Sequence, residues 1–247
     1  MVTANKKPLA TNYDTYKRML ETARANHAQF RYEATVGAGL PVIDTIDKLR
    51  ESGDRIELVL ASLSGTIGYI MTQLEDGVNF SQAVEKAKEL GYTEPDPRDD
   101  LSGIDVARKT LILARTLGYE LNMSDVVVEP LYKQKPGEES VADFLKNLHQ
   151  SNEVFAEKVK RAKSNNKVLR YIARIHGHDA SVRLEEVDRE SPMGRLRGLD
   201  NQITITSKRY SFHPLSIIGP GAGAEVTASG VLNDIQKIVS QCSYKNI

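Results

Sequence analysis

The sequence predicts a mixed α/β fold of the α+β kind, in which a mixed or antiparallel sheet is covered by helices. Two observations predict it. Apolar residues recur at helical spacing through most of the first two thirds of the chain. Short β-prone runs separated by turn residues then crowd the final third.

Taken in order, Tyr13 to Ala25 reads as a helix, with Tyr16, Met19, Leu20 and Ala23 on one face. Phe30 to Val36 reads as a strand running into Gly37-Ala38-Gly39. Leu40-Pro41 opens a helix to about Arg50, since proline's missing N–H costs nothing in a first turn. Ile56 to Leu63 is a strand, and Ser64-Gly65-Thr66 leads into a helix ending near Glu75. Another helix starts at Phe80-Ser81, with Ser81 as N-cap and Val84, Ala87 and Leu90 as its apolar stripe. Gly91 to Gly103 reads as a loop, rich in proline and acidic residues. Ile104 to Leu117 is a helix that Gly118 ends. Val126 to Val128 is a short strand, Lys133 to Ser140 a polar link, and Val141 to Ala162 helical. Val168–Ile175, Ser181–Val187, Ile203–Ser207 and Leu215–Ile218 form an antiparallel meander, with a turn at Gly177-His178-Asp179. Gly219 to Gly223 is glycine-rich, and Val226 to Val239 closes the chain as a helix.

Composition narrows the function classes. The 247 residues are 40% hydrophobic and 27% charged, which suits a globular protein rather than a disordered one. The 33 basic and 33 acidic residues cancel, so there is no strong positive field to hold nucleic acid. No apolar run approaches the ~20 residues that cross a bilayer, so no membrane role is expected. Cys242 is the only cysteine, which rules out an internal disulfide and makes a reducing cytoplasm the expected compartment, or an organelle if a targeting segment lies upstream.

Chemistry concentrates between Gly91 and Lys109. Asp105 and Lys109 are four apart on a helix and share a face, with Asp105 in the first turn where the dipole favours negative charge. The preceding loop supplies Glu94, Asp96, Asp99 and Asp100. A lysine among carboxylates is held charged and can donate a proton to a developing alkoxide. A solvated surface pair accounts for the same spacing, but two prolines stiffen the loop as a preorganised site would require. The turn Val36 to Leu40, preceded by Glu33, reads either as a plain turn relieved by glycine or as carbonyls and a carboxylate around a hard cation. Gly219 to Gly223 precedes a helix, so its N–H groups can face a ligand, but its spacing is not that of a dinucleotide fingerprint. His178 and His213 read as loop residues, and no Cys/His cluster suits zinc.

The segment Gly91 to Lys109 resembles the signature of homoserine dehydrogenases almost residue for residue. Thr3-Ala4-Asn5-Lys6-Lys7, Tyr32 to Pro41, Leu63-Ser64-Gly65-Thr66 and Gly219-Pro220-Gly221-Ala222-Gly223 resemble further motifs of that family in the same order, across nearly the whole chain. The likeness is greatest to the dehydrogenase half of bifunctional aspartokinase–homoserine dehydrogenases. It implies reversible reduction of L-aspartate 4-semialdehyde to L-homoserine with NADP or NAD, on the route to threonine, methionine and isoleucine. By position it implies Lys109 as proton donor and Asp105 as its partner. It assigns Glu94 to the substrate ammonium, and Asp100, Tyr92, Gly65, Thr66 and Lys6 to the rest of the substrate pocket. Lys6, Gly221 and Gly223 would meet the cofactor. Glu33, Val36, Ala38 and Leu40 would hold a structural Na+ or K+. A homodimer is implied too.

The resemblance also divides the chain. Residues 1–36 would be a remnant of a Rossmann-type dinucleotide-binding domain, 37–218 the catalytic and dimerisation domain, and 219–247 a glycine-rich turn and helix packing back toward the nucleotide region. The family's glycine-rich phosphate loop has no counterpart here. The expectation is therefore a catalytic portion that folds but turns over poorly alone, joined to a nucleotide-binding or aspartokinase part. A non-catalytic dimerisation or regulatory module is the alternative. Leu60-Ala61-Ser62-Leu63 is a small departure, where many members carry a glycine.

Overall fold

Asn12 starts the first helix by accepting a hydrogen bond from the Thr15 N–H at 2.9 Å, which satisfies one of the donors a helix start leaves free. This helix, α1 (Tyr13–Ala25), follows a 3-10 turn at Lys7–Ala10. The structure is a computed structural model that describes residues 1–132 and 139–243, without the side chains of 241–243. A second 3-10 turn, Glu33–Thr35, leads to α2 (Val42–Glu51). Next come β1 (Ile56–Ser62), α3 (Gly65–Glu75), α4 (Phe80–Glu89), α5 (Pro97–Leu101) and α6 (Ile104–Thr116). Then follow β2 (Val126–Val128), α7 (Val141–Asn147), α8 (Asn152–Ser164), β3 (Lys167–His176) and β4 (Asp179–Asp188). The short helix α9 (Pro192–Arg195), β5 (Asp200–Ser207), β6 (Leu215–Pro220) and α10 (Ala224–Ser243) complete the chain.

The predicted class is the one observed: a six-stranded mixed sheet, in the order β2-β4-β3-β1-β5-β6, with helices packed on it. Period-two alternation sends Val59 and Ala61 of β1, Tyr171 and Ala173 of β3 and Ile203 and Ile205 of β5 to one face, all buried. There they join α3, α6 and α8 in one continuous core with Ile67, Ile70, Met71, Leu111 and Ile112. On the other face Ile172, Met193 and Leu196 form a small second cluster, because α9 covers that end of the sheet.

The structure corrects several expectations. The late strands are not a simple meander: β3–β4 and β5–β6 are antiparallel hairpins, but β1 lies between them and pairs antiparallel with both β3 and β5. β2 joins the edge of β4 in parallel. Phe30 to Val36 is not a strand. Only Arg31 bridges, to Val2, and Glu33–Thr35 turns tightly to deliver Glu33 to the start of α2. Asn79, not Ser81, is the cap position of α4, while the Ser81 N–H donates to Asn152 Oδ1 at 2.9 Å. Val84 and Ala87 are buried as expected, but Leu90 is exposed at the helix end. Gly91–Gly103 is not all loop. Asp96 caps a helical turn, α5, that Pro97 opens. Val141–Ala162 breaks at Leu148–Ser151 into α7, a 3-10 turn and α8. Most of the link predicted at Lys133–Ser140 lies outside the described residues.

Candidate active site

Three elements converge on one ion cluster. Lys109, on the face of α6 turned toward the end of β1, donates to the Leu63 carbonyl at 2.7 Å and pairs with Asp105 Oδ2 at 3.0 Å. Lys6 pairs with the other oxygen, Asp105 Oδ1, at 3.1 Å. Local sequence does not explain how Lys6 reaches α6; Arg115 does. Its buried guanidinium donates to the Leu9 carbonyl at 2.7 Å, to the Thr11 carbonyl at 2.8 Å and to the Leu121 carbonyl, and stacks on Tyr16. It thereby pins the Lys7–Ala10 turn, and with it Lys6, against α6 two turns beyond Lys109. Sequence reasoning passed over Arg115. An arginine on an otherwise apolar helix stretch, Leu111 to Ala114, was its signal.

The cluster's electrostatics follow from burial and charge. Burial pushes the Lys109 ammonium below its ordinary pKa, and the nearby Lys6 charge adds to this, while Asp105 opposes it. Burial by itself would raise the Asp105 carboxyl, but Lys109 and Lys6 together outweigh it and hold that group below the usual range. Lys109 is thus a nearly buried ammonium, 12% exposed, whose neutral form is reached at milder pH than that of a free lysine.

The acidic loop is ordered by its own carboxylates. Asp100 on α5 accepts the Glu94 N–H at 2.8 Å, which closes the loop and fixes the backbone that carries Glu94. Burial raises the Asp100 carboxyl, and that hydrogen bond and Thr66 oppose the rise. The Thr66 hydroxyl donates to the Tyr92 carbonyl, and the Tyr92 ring packs edge-on to Tyr69 at 5.2 Å. Glu94 itself is exposed. Arg98 holds the outside of the loop: it chelates Asp96 at 2.7–2.9 Å, donates to the Glu139 carbonyl at 2.8 Å and lies over the Phe144 ring. Gly65 has a packing reason as well, since a Cβ there would stand 2.8 Å from the Leu199 carbonyl oxygen.

Two other predicted groups lie apart from the lysines in the chain. Gly221 and Gly223 sit in the turn between β6 and α10. Gly223 has φ +119°, and a Cβ at Gly221 would fall 1.9 Å from Asn201 Nδ2, so glycine is required at 221 because the Asn201 amide already packs against its backbone. This turn lies directly ahead of the N-terminus of α10. Glu33 is buried, and its carboxylate accepts the Ile43 and Asp44 N–H groups at 2.7 and 2.9 Å. It therefore serves as the cap of α2, a partner the sequence did not suggest. Burial raises this carboxyl to about 7, against those two hydrogen bonds. Gly37 and Ala38 take positive φ, 78° and 54°, in the turn whose Val36, Ala38 and Leu40 carbonyls were expected around a cation. Among the described residues no group of three or more His, Cys, Asp or Glu side chains could hold a metal ion. No helix among them is long and apolar enough to cross a membrane.

The homoserine dehydrogenase family model matches residues 41–236. The chain is 43% identical over 243 residues to a chloroplastic bifunctional aspartokinase/homoserine dehydrogenase 2 of Zea mays, covering 97% of this chain and 26% of that protein. It is 39% identical over 254 residues to a homoserine dehydrogenase of Schizosaccharomyces pombe, covering 98% of this chain and 66% of that one. The chain thus spans about a quarter of the length of the first and just under two thirds of the second. Among solved structures it is similar to a hyperthermophilic archaeal homoserine dehydrogenase mutant in complex with NADPH. The TM-score is 0.75 at 27% identity, over 97% of this chain and 64% of that one.

Proposed function

The chain belongs to the homoserine dehydrogenase family, and on that premise we propose that it carries the catalytic site for reversible reduction of L-aspartate 4-semialdehyde to L-homoserine, in threonine, methionine and isoleucine biosynthesis. The observation that carries this reading is the meeting of Lys109, Asp105 and Lys6 in one cluster, beside a loop that Asp100 closes around Glu94.

NADPH or NADH supplies the hydride when bound. The protein's own work is binding and proton transfer. Glu94, exposed on its ordered loop, receives the substrate ammonium, and Tyr92, Thr66, Gly65 and Asp100 frame the pocket. As the aldehyde is reduced its oxygen gains negative charge. The Lys109 ammonium stabilises that charge and gives its proton to the oxygen. Asp105 orients Lys109 and offsets the burial that would strip its proton, and Lys6 adds a second positive charge on the far side of Asp105. In the reverse direction the neutral Lys109 amine takes the homoserine hydroxyl proton, which its lowered pKa favours.

Gly221, Gly223 and Lys6 are the residues proposed for the cofactor's ring end, and the archaeal relative's complex with NADPH supports that choice of cofactor. The division into residues 1–36, 37–218 and 219–247, a Na+ or K+ at the Val36–Leu40 turn and a homodimer complete the proposal. The maize relative supports an aspartokinase partner domain. Homoserine-dependent reduction of NADP+ by wild type and Lys109→Met tests the reading. Activity that survives the substitution within a few-fold contradicts it.

A further inference from the structure

Asn201 on β5 is 1% exposed, and neither its Nδ2 nor its Oδ1 has a hydrogen-bond partner. A sealed primary amide with both atoms unsatisfied is costly, and most buried polar groups in folded proteins are paired. Its place in the sheet says what it is for. The β1–β5 register pairs Ala61 with Ile203 and Ser62 with Gln202, so Asn201 directly adjoins the last paired residue, at the end of β1 where the Leu63 carbonyl receives Lys109. On its other side Asn201 pairs with Gly219 of β6, two residues before the glycine turn begins at Gly221. Alternation puts the Asn201 side chain on the same face as Ile203 and Ile205, the helix-covered face. The amide therefore lies on the helix-covered face and against the backbone of Gly221.

Gly221 closes over it, since a Cβ at 221 would lie 1.9 Å from Nδ2 and 2.5 Å from Oδ1. Glycine at 221, and Gly223 at φ +119°, let this turn rest directly on the amide.

We infer that Asn201 is the residue that recognises the carboxamide of the nicotinamide ring, offering one donor and one acceptor to its acceptor and donor when the Gly221–Gly223 turn lifts. This deepens the proposal that the turn receives the cofactor's ring end and rests on it. The match is chemical: a primary amide satisfies both atoms of another in a paired arrangement, which a single hydroxyl or carboxylate does not. The unpaired state without ligand and the paired state with it differ by two hydrogen bonds, and such a differential contact drives a turn from closed to open.

The experiment compares NADPH with its 3-acetylpyridine analogue, in which a methyl ketone replaces the carboxamide and removes its donor. Affinities of both are measured by nucleotide fluorescence titration to millimolar concentration, in wild type and in Asn201→Leu, which keeps the branched shape without the polar atoms. Asn201→Ala is measured in parallel, so that overpacking by leucine does not decide the result. Wild type should favour NADPH roughly tenfold, and both variants should bind the two nucleotides about equally. A preference that survives in the folded variants, or a wild type that binds both nucleotides alike, overturns the assignment of Asn201. A wild type that binds neither overturns the cofactor reading beneath it.

Discussion

Lys6 and Lys109 occupy different oxygens of the Asp105 carboxylate, at 3.1 and 3.0 Å, although one comes from the chain's beginning and the other from the middle of α6. One carboxylate between two ammonium groups leaves the cluster net positive, the sign needed to receive charge on a carbonyl oxygen. Lys109 is the more buried of the two and also donates to the Leu63 carbonyl, so its position is the more tightly fixed.

Lys109→Met should lower kcat for homoserine oxidation by roughly 10²–10⁴-fold, the usual scale for a general acid–base group. The fold should persist, because methionine fills the space and removes a buried charge. Steady-state kinetics with a circular-dichroism melt checks both. A kcat within a few-fold of wild type removes Lys109 from the chemistry.

Asp105→Asn should move the pH profile. Burial already holds Lys109 below its ordinary pKa, and Asp105 opposes that shift. Without the carboxylate the shift deepens, so the neutral amine prevails at lower pH. The rising limb of homoserine oxidation should move to lower pH, and the falling limb of semialdehyde reduction should move the same way. Profiles in both directions test this, and a limb that moves to higher pH contradicts the electrostatic account.

Glu94→Gln should weaken homoserine binding by roughly 10–100-fold, since a hydrogen bond between charged groups contributes about 1.5–3 kcal/mol. Asp100 accepts the Glu94 N–H through the backbone, so the loop keeps its closure in the variant. Titration calorimetry with L-homoserine reads the change, and an unchanged affinity places Glu94 outside the pocket.

Gly103→Ala tests the packing that holds α6. Gly103 sits at φ +74° in the position before the helix, and a Cβ there would stand 2.1 Å from the Tyr171 hydroxyl oxygen. That hydroxyl donates to the Glu129 carbonyl at 2.7 Å, so it has little freedom to move aside. Left-handed backbone strain and the clash together should cost about 2–5 kcal/mol. Urea unfolding measures the loss, and a variant as stable as wild type shows that Tyr171 yields.

Much of this was legible because it depends on local pattern. α1 and α6 follow helical spacing, and Gly103 and Gly118, both at positive φ, bracket α6 where glycine was expected. The pairing of Asp105 with Lys109 follows from i,i+4 spacing alone. What depends on long-range order was not legible. Nothing near Ile56–Ser62 says that this early strand inserts between two late hairpins. The choice rests on which apolar faces bury together. Phe30–Val36 has β propensity, but its end must bring the Glu33 carboxylate to the free N–H groups of α2, which an extended strand does not do. Arg115, Arg98 and Asn201 went unread because a polar residue declares its role only through partners far away in the chain, or through having none.

The most direct test of the central claim is a heteronuclear NMR titration of the isotope-labelled protein with L-homoserine. The account predicts saturable amide shifts at Thr66, Tyr92, Glu94, Asp100 and the first turns of α6, with a side-chain response at Lys109, all reduced in Glu94→Gln. The exposed hairpin around Phe212 and His213 should stay silent. No response into the millimolar range, or shifts centred away from Glu94 and Lys109, would contradict it.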